Sequence, residues 1–110
     1  MLSMAAQIEI YEQMRILSAQ MVEAARTADW DRLIGLERSV AALRDILMQQ
    51  GGNPADMSVT EAERKAGLIQ HILEDDAEIR RHTEPWMEHL RRFLGDASKK
   101  QQVDRAYGAF

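Results

Sequence analysis

Residues 60–82 read T-E-A-E-R-K-A-G-L-I-Q-H-I-L-E-D-D-A-E-I-R-R-H. At about 100° per residue, Ala62, Ala66, Ile69, Leu73 and Ala77 fall on one stripe of a helix. Leu68, Ile72 and Ile79 fall on a second stripe roughly 100–120° away. No part of the stretch alternates apolar with polar residues as a half-buried strand would. Thr60-Glu61-Ala62-Glu63 has the form of a capping box, in which hydroxyl and carboxylate satisfy each other's backbone N–H groups. The pattern predicts a helix over 60–82 with two apolar faces, and so at least two neighbours. Pro85 lacks the N–H that a helix interior needs and clashes with the preceding turn. Thr83-Glu84-Pro85 therefore reads as a fresh helix start.

The same 3.6-residue period extends through most of the chain. Upstream, Ile10, Met14, Leu17, Met21, Ala24 and Ala28 stripe a helix over about 3–28, with Met4, Ile8, Tyr11 and Val22 beside them. Leu33, Leu36, Val40, Leu43 and Leu47 stripe another over about 30–50, widened by Trp30, Ile34, Ala41 and Met48. Gly51-Gly52-Asn53-Pro54 stops it and turns the chain. Downstream, Trp86, Leu90, Phe93 and Leu94 give a short helix over about 84–94 its apolar face. The expected fold is all-α: an antiparallel bundle of three long helices plus a short fourth helix and a flexible C-terminal tail. Residues 1–95 form the bundle domain and 96–110 the polar tail.

Composition agrees with a single small domain. The 110 residues are 45% apolar and 29% charged, with no cysteine, which excludes disulfides and thiolate metal sites. The longest apolar run, Val40 to Leu43, is far short of a membrane span, and the first residues lack a signal peptide's basic and apolar regions. A cytoplasmic protein is expected. The net charge of −4 is uneven. The first 79 residues carry seven Lys or Arg against fourteen Asp or Glu, and residues 80–110 carry seven against four. That bias is too small to point to nucleic acid.

Little here suggests catalysis. His71, Asp75, Glu78 and His82 share one helix face and have the side chains for a divalent ion. That face reads first as the one that solvates the helix, and no Glu-x-x-His pair supports a metal bundle. No nucleophile elbow or phosphate-binding glycine loop is present. The wide apolar faces are more telling. Either each helix touches two neighbours, or one strip is left for a partner, to which seven methionines would lend adaptability.

In order, I-Y-E-Q-M-R-I-L-S-A-Q-M (10–21), A-A-R-T-A-D-W-D-R-L-I-G-L-E (24–37), E-R-K-A-G-L-I-Q-H-I-L-E-D-D-A-E-I-R (63–80), E-P-W-M-E-H-L (84–90) and R-A-Y-G (105–108) are spread along nearly the whole chain. This combination resembles the FliT-type flagellar export chaperones. The resemblance implies a cytosolic helical chaperone of the flagellar type III export system, with no enzymatic activity and no cofactor or metal. Its partners would be the filament-cap protein, the export gate membrane protein and the export ATPase complex. Some members of the family also restrain the flagellar master transcriptional activator, and an anti-activator acting mainly on that regulator is the rival reading. A structural homodimer is another, and an exposed apolar strip favours a homodimer in the free protein.

The mechanism expected is helix-in-groove capture of the cap protein's C-terminal segment. The residues themselves, rather than the family, point to Leu68, Ile72 and Ile79 as the client groove. Pro85, Trp86, Leu90 and Phe93 would form a separable lid helix over it. Tyr107, in R-A-Y-G, matches a tyrosine near the chain end that in this family contributes to docking on the export gate.

Overall fold

The computed structural model describes residues 2–50 and 57–94 and is all-helical. It contains α1 (Met4–Arg26), α2 (Trp30–Gln50) and α3 (Val59–Leu94). Residue 1 and the stretches 51–56 and 95–110, on which the expected Gly-Gly turn, the expected tail and Tyr107 fall, lie outside the described residues.

Each boundary has a local cause. The Ser3 hydroxyl caps α1 by accepting the Ala6 N–H at 3.2 Å. At its other end the Asp29 N–H donates to the Ala24 carbonyl (2.8 Å) and the Ala28 N–H to the Ala25 carbonyl (3.2 Å). This is a Schellman closure, and it holds Ala28 at a positive φ of 56°. Asp29 then opens α2, its carbonyl receiving the Leu33 N–H at 3.0 Å. The reversal takes only three residues, so α2 runs back along α1. At the far end the Leu2 N–H reaches the Gln50 carbonyl at 2.8 Å.

The third helix differs from its expected form in two ways. Its capping box is Ser58-x-x-Glu61, two residues before the predicted one. The Glu61 N–H donates to the Ser58 hydroxyl and the Ser58 N–H to the Glu61 carboxylate, each at 3.1 Å. It also does not stop at His82. Pro85 lies inside one continuous 36-residue helix, and the expected fourth helix is its last third. An interior proline costs about 3 kcal/mol. Trp86 and Met87, just beyond it, pack into the core. Burying two such side chains is worth roughly 1.5–3 kcal/mol each. Burial outweighs the lost hydrogen bond, and the helix runs on.

The core gathers on α1: Met14, Met21, Val22, Ala24 and Ala25 pack against Leu33 and Val40 of α2 and Ile79 and Met87 of α3. Both other helices rest on α1 and have little contact with each other. Polar pairs set the register of α3. Arg64 reaches Glu12 at 2.7 Å, Arg15 and Ser18 both reach Asp75 (3.1 and 2.8 Å), and Arg26 reaches Glu78 at 2.7 Å. Rising numbers on both helices mean that α3 runs in the direction of α1.

Candidate functional site

Because α2 and α3 flank α1 without closing on each other, a cleft of about 400 Å³ opens between them. Its floor is Met14, Ser18 and Met21 of α1. One wall is Glu37, Val40 and Arg44 of α2, the other Ile72, Leu73, Asp76 and Ile79 of α3. The Trp30 and Trp86 rings stack with centroids 4.4 Å apart, joining α2 to α3 beyond one end. Leu73, on the α3 wall, and Met48, one turn past Arg44 on α2, are exposed at 58% and 77%. The surface is mostly apolar and partly thioether-lined, suited to apolar side chains of varied shape.

Three charged groups interrupt it. Glu37 is only 8% exposed, and its ion-pair partner among the described residues, Arg44, stands at 3.7 Å. Burial pushes its carboxyl above the ordinary value of 4.5; Arg44 pulls against the shift and Asp76, across the cleft, adds to it. Asp76 pairs with Arg80 at 3.4 Å.

Of the predicted groove residues, Ile72 and Ile79 line the cleft, Ile79 at its base with 1% exposure. Leu68 does not belong to it. At 9% exposure it is buried one turn beyond Arg64 and Lys65, which lie on Glu12 and Tyr11 of α1. The two stripes of α3 thus exchange places: Leu68, Ile72 and Ile79 face inward, and Ala62, Ala66, Leu73 and Ala77 are exposed. The four expected lid residues are part of α3 rather than a separate element. Pro85 is exposed, Trp86 rests on Trp30, Leu90 is half-buried, and Phe93 is 79% exposed.

His71, Asp75, Glu78 and His82 are not drawn together. Asp75 and Glu78 turn to Ser18, Arg15 and Arg26, while His71 is exposed beside Glu74. Among the described residues, no three His, Asp or Glu side chains gather to hold a metal ion. Nor is any described helix long and apolar enough to cross a membrane.

The cleft's charged members were missed in the sequence, yet they carry a signal. Leu33, Glu37, Val40, Arg44 and Leu47 follow one another at steps of four and three, so two charges sit inside an apolar stripe.

Comparison with known proteins gives the family. The family model described as flagellar protein FliT matches residues 8–109. The chain belongs to the FliT family. A flagellar protein FliT from Serratia proteamaculans is 30% identical over 101 residues, covering 91% of this chain and 81% of its own length. FliT from Yersinia pseudotuberculosis (strain YPIII) is 28% identical over 104 residues, covering 91% and 82%. FliT from Photorhabdus laumondii is 22% identical over 103 residues, covering 94% and 82%. No solved structure matches.

Proposed function

We propose that this FliT-family chain is a cytoplasmic chaperone of flagellar type III export. It binds the C-terminal segment of the filament-cap protein, keeps that protein from assembling early and passes it to the export apparatus. The observation that carries this reading is the apolar cleft left between α2 and α3 over a thioether floor. An amphipathic client helix laid in it would give the two walls the neighbour that they lack, as in other helix-in-groove complexes. The mostly apolar lining of the cleft suits a binding role. The exposed Leu73 and Met48 also favour self-association of the free chain, in which a second copy covers the strip until a client replaces it. Docking on the export gate membrane protein and the export ATPase complex belongs to the same reading, with Tyr107 as the gate anchor.

Isothermal titration with the C-terminal segment of the cap protein from the same bacterium tests it. One-to-one binding is expected, and Leu73→Asp should weaken it more than tenfold, since a carboxylate would then meet an apolar helix face. Leu73 is exposed, so the variant should fold normally. No binding by the folded chain would bring forward the rival role of restraining the flagellar transcriptional activator.

A further inference from the structure

The cleft holds two carboxylates whose ion pairs are loose. Outside it, Arg26–Glu78 and Arg64–Glu12 close to 2.7 Å, the length of a charge-assisted hydrogen bond. Inside it, Glu37 stands 3.7 Å from Arg44 and Asp76 stands 3.4 Å from Arg80. Glu37 is also the more costly one to keep, because a carboxylate taken out of water needs a close partner to offset its lost hydration. Its neighbours do not supply one. From α1 the cleft receives only Met14, Met21 and Ser18, and from α3 the nearest charge is another carboxylate, Asp76. Two acidic walls facing each other across apolar surface leave a place for one cationic group.

We propose that Glu37 and Asp76 together read a lysine or arginine set within the apolar stripe of the helix that the cleft binds. Apolar flanks of that helix would rest on Met14, Met21, Val40 and Ile72. Its cationic head would lie between the two carboxylates, where the low dielectric strengthens the contact. The pair would thereby choose among amphipathic helices, rejecting those with a carboxylate or an uninterrupted apolar stripe at that position. This inference rests on the cleft being the client site and adds the chemistry that the site selects.

The burial-raised carboxyl of Glu37 supports a second readout. A bound cation favours its charged form, so binding below the raised value must release a proton. Affinity should therefore climb as pH rises from about 4.5 toward neutrality. Arg44 on its own helix and Asp76 on α3, itself paired with Arg80, are the charged groups that act on it among the described residues, and the α1 residues lining the cleft carry no charge.

The test is titration of the full chain with the cap protein's C-terminal segment across that pH range, using wild type, Glu37→Gln, Asp76→Asn and Arg44→Gln. Glu37→Gln should weaken binding about tenfold, one charge-assisted hydrogen bond's worth, and should flatten the pH dependence. Asp76→Asn should weaken it less. Replacing one particular Lys or Arg of the segment by Gln should cost as much as Glu37→Gln, and the two changes together little more. If the segment binds and neither acidic variant changes its affinity or pH profile, the cation-reading pair is wrong while the chaperone reading stands. Weakening by Arg44→Gln alone would overturn it in favour of a client carboxylate. Failure of the folded wild type to bind would remove both.

Discussion

Trp30 and Trp86 stack at 4.4 Å with their ring planes 18° apart, tying the first residue of α2 to the turn of α3 that follows Pro85. The stack joins two helices that otherwise rest only on α1. Trp86→Ala removes the ring pair, worth about 0.5–1.5 kcal/mol, together with part of the burial of a large side chain. A loss of about 2–3 kcal/mol is expected from urea unfolding followed by circular dichroism. A change below about 0.5 kcal/mol would mean that the stack does not join α2 to α3 in solution.

Pro85 continues α3 against its own chemistry, since its nitrogen cannot donate to the carbonyl one turn back. It is exposed, so its ring fills no space in the core. Pro85→Ala should therefore raise stability by about 1–3 kcal/mol, readable as a higher midpoint in thermal unfolding. An unchanged or lower midpoint would indicate that the helix breaks here after all.

Ending the chain after Glu84 separates a lid from a structural segment. A lid would leave a folded chain that binds more tightly. In the structure Met87 belongs to the core at 9% exposure, and the partly buried Trp86 packs against it. The shortened chain should lose roughly 2–5 kcal/mol, from the buried Met87 at about 1.5–3 kcal/mol and somewhat less from the partly buried Trp86. Its urea midpoint should fall accordingly. A midpoint equal to that of the full chain would restore the lid.

The all-helical class was legible because the apolar stripes speak through local geometry alone, but the first stripe was carried two residues too far, to Ala28, which lies past the helix end at Arg26 with φ at 56°. The start of α3 was less so. Ser58-x-x-Glu61 and Thr60-x-x-Glu63 overlap, and only the fold selects between them. Its end was misread because Pro85 is a strong local stop, while the Trp30 contact that overrides it lies 56 residues away. The inward face of α3 was also obscured. Counting positions favours the stripe of Ala62, Ala66, Ile69, Leu73 and Ala77. Buried area favours Leu68, Ile72 and Ile79, because alanine hides little surface. The cleft itself depends on how far α2 and α3 stand apart, which no residue pattern states.

Glu37 and Glu78 divide the acid side of the stability curve between them. Burial raises the Glu37 carboxyl, so the folded chain holds a proton that the unfolded chain has released. The folded state is thus penalised above the raised value, and the penalty disappears as pH falls back through it toward 4.5. The hydrogen bond from Arg26 lowers the Glu78 carboxyl, and that contribution is present above 4.5 and lost as pH falls through the lowered value. Urea titrations from pH 3 to 7, spanning about a unit and more on either side of an ordinary carboxylate, should show Glu37→Gln flattening the slope above 4.5. Glu78→Gln should flatten the slope below it. The two effects exchanged would contradict both assignments.

Backbone conformation yields a pair of opposite substitutions. Ala28 closes α1 with φ at 56°, a left-handed geometry that costs a residue with a Cβ roughly 1 kcal/mol and glycine almost nothing. Gly67 has the reverse problem, since it lies inside α3 and pays glycine's backbone entropy without using its freedom. A Cβ placed there meets no atom within 4 Å. Ala28→Gly and Gly67→Ala should each raise stability by about 0.5–1 kcal/mol. The sites share no contact partner, so the double variant should gain the sum. Thermal midpoints of the three variants check this. An unchanged midpoint for Ala28→Gly would mean that the left-handed closure of α1 does not hold in solution.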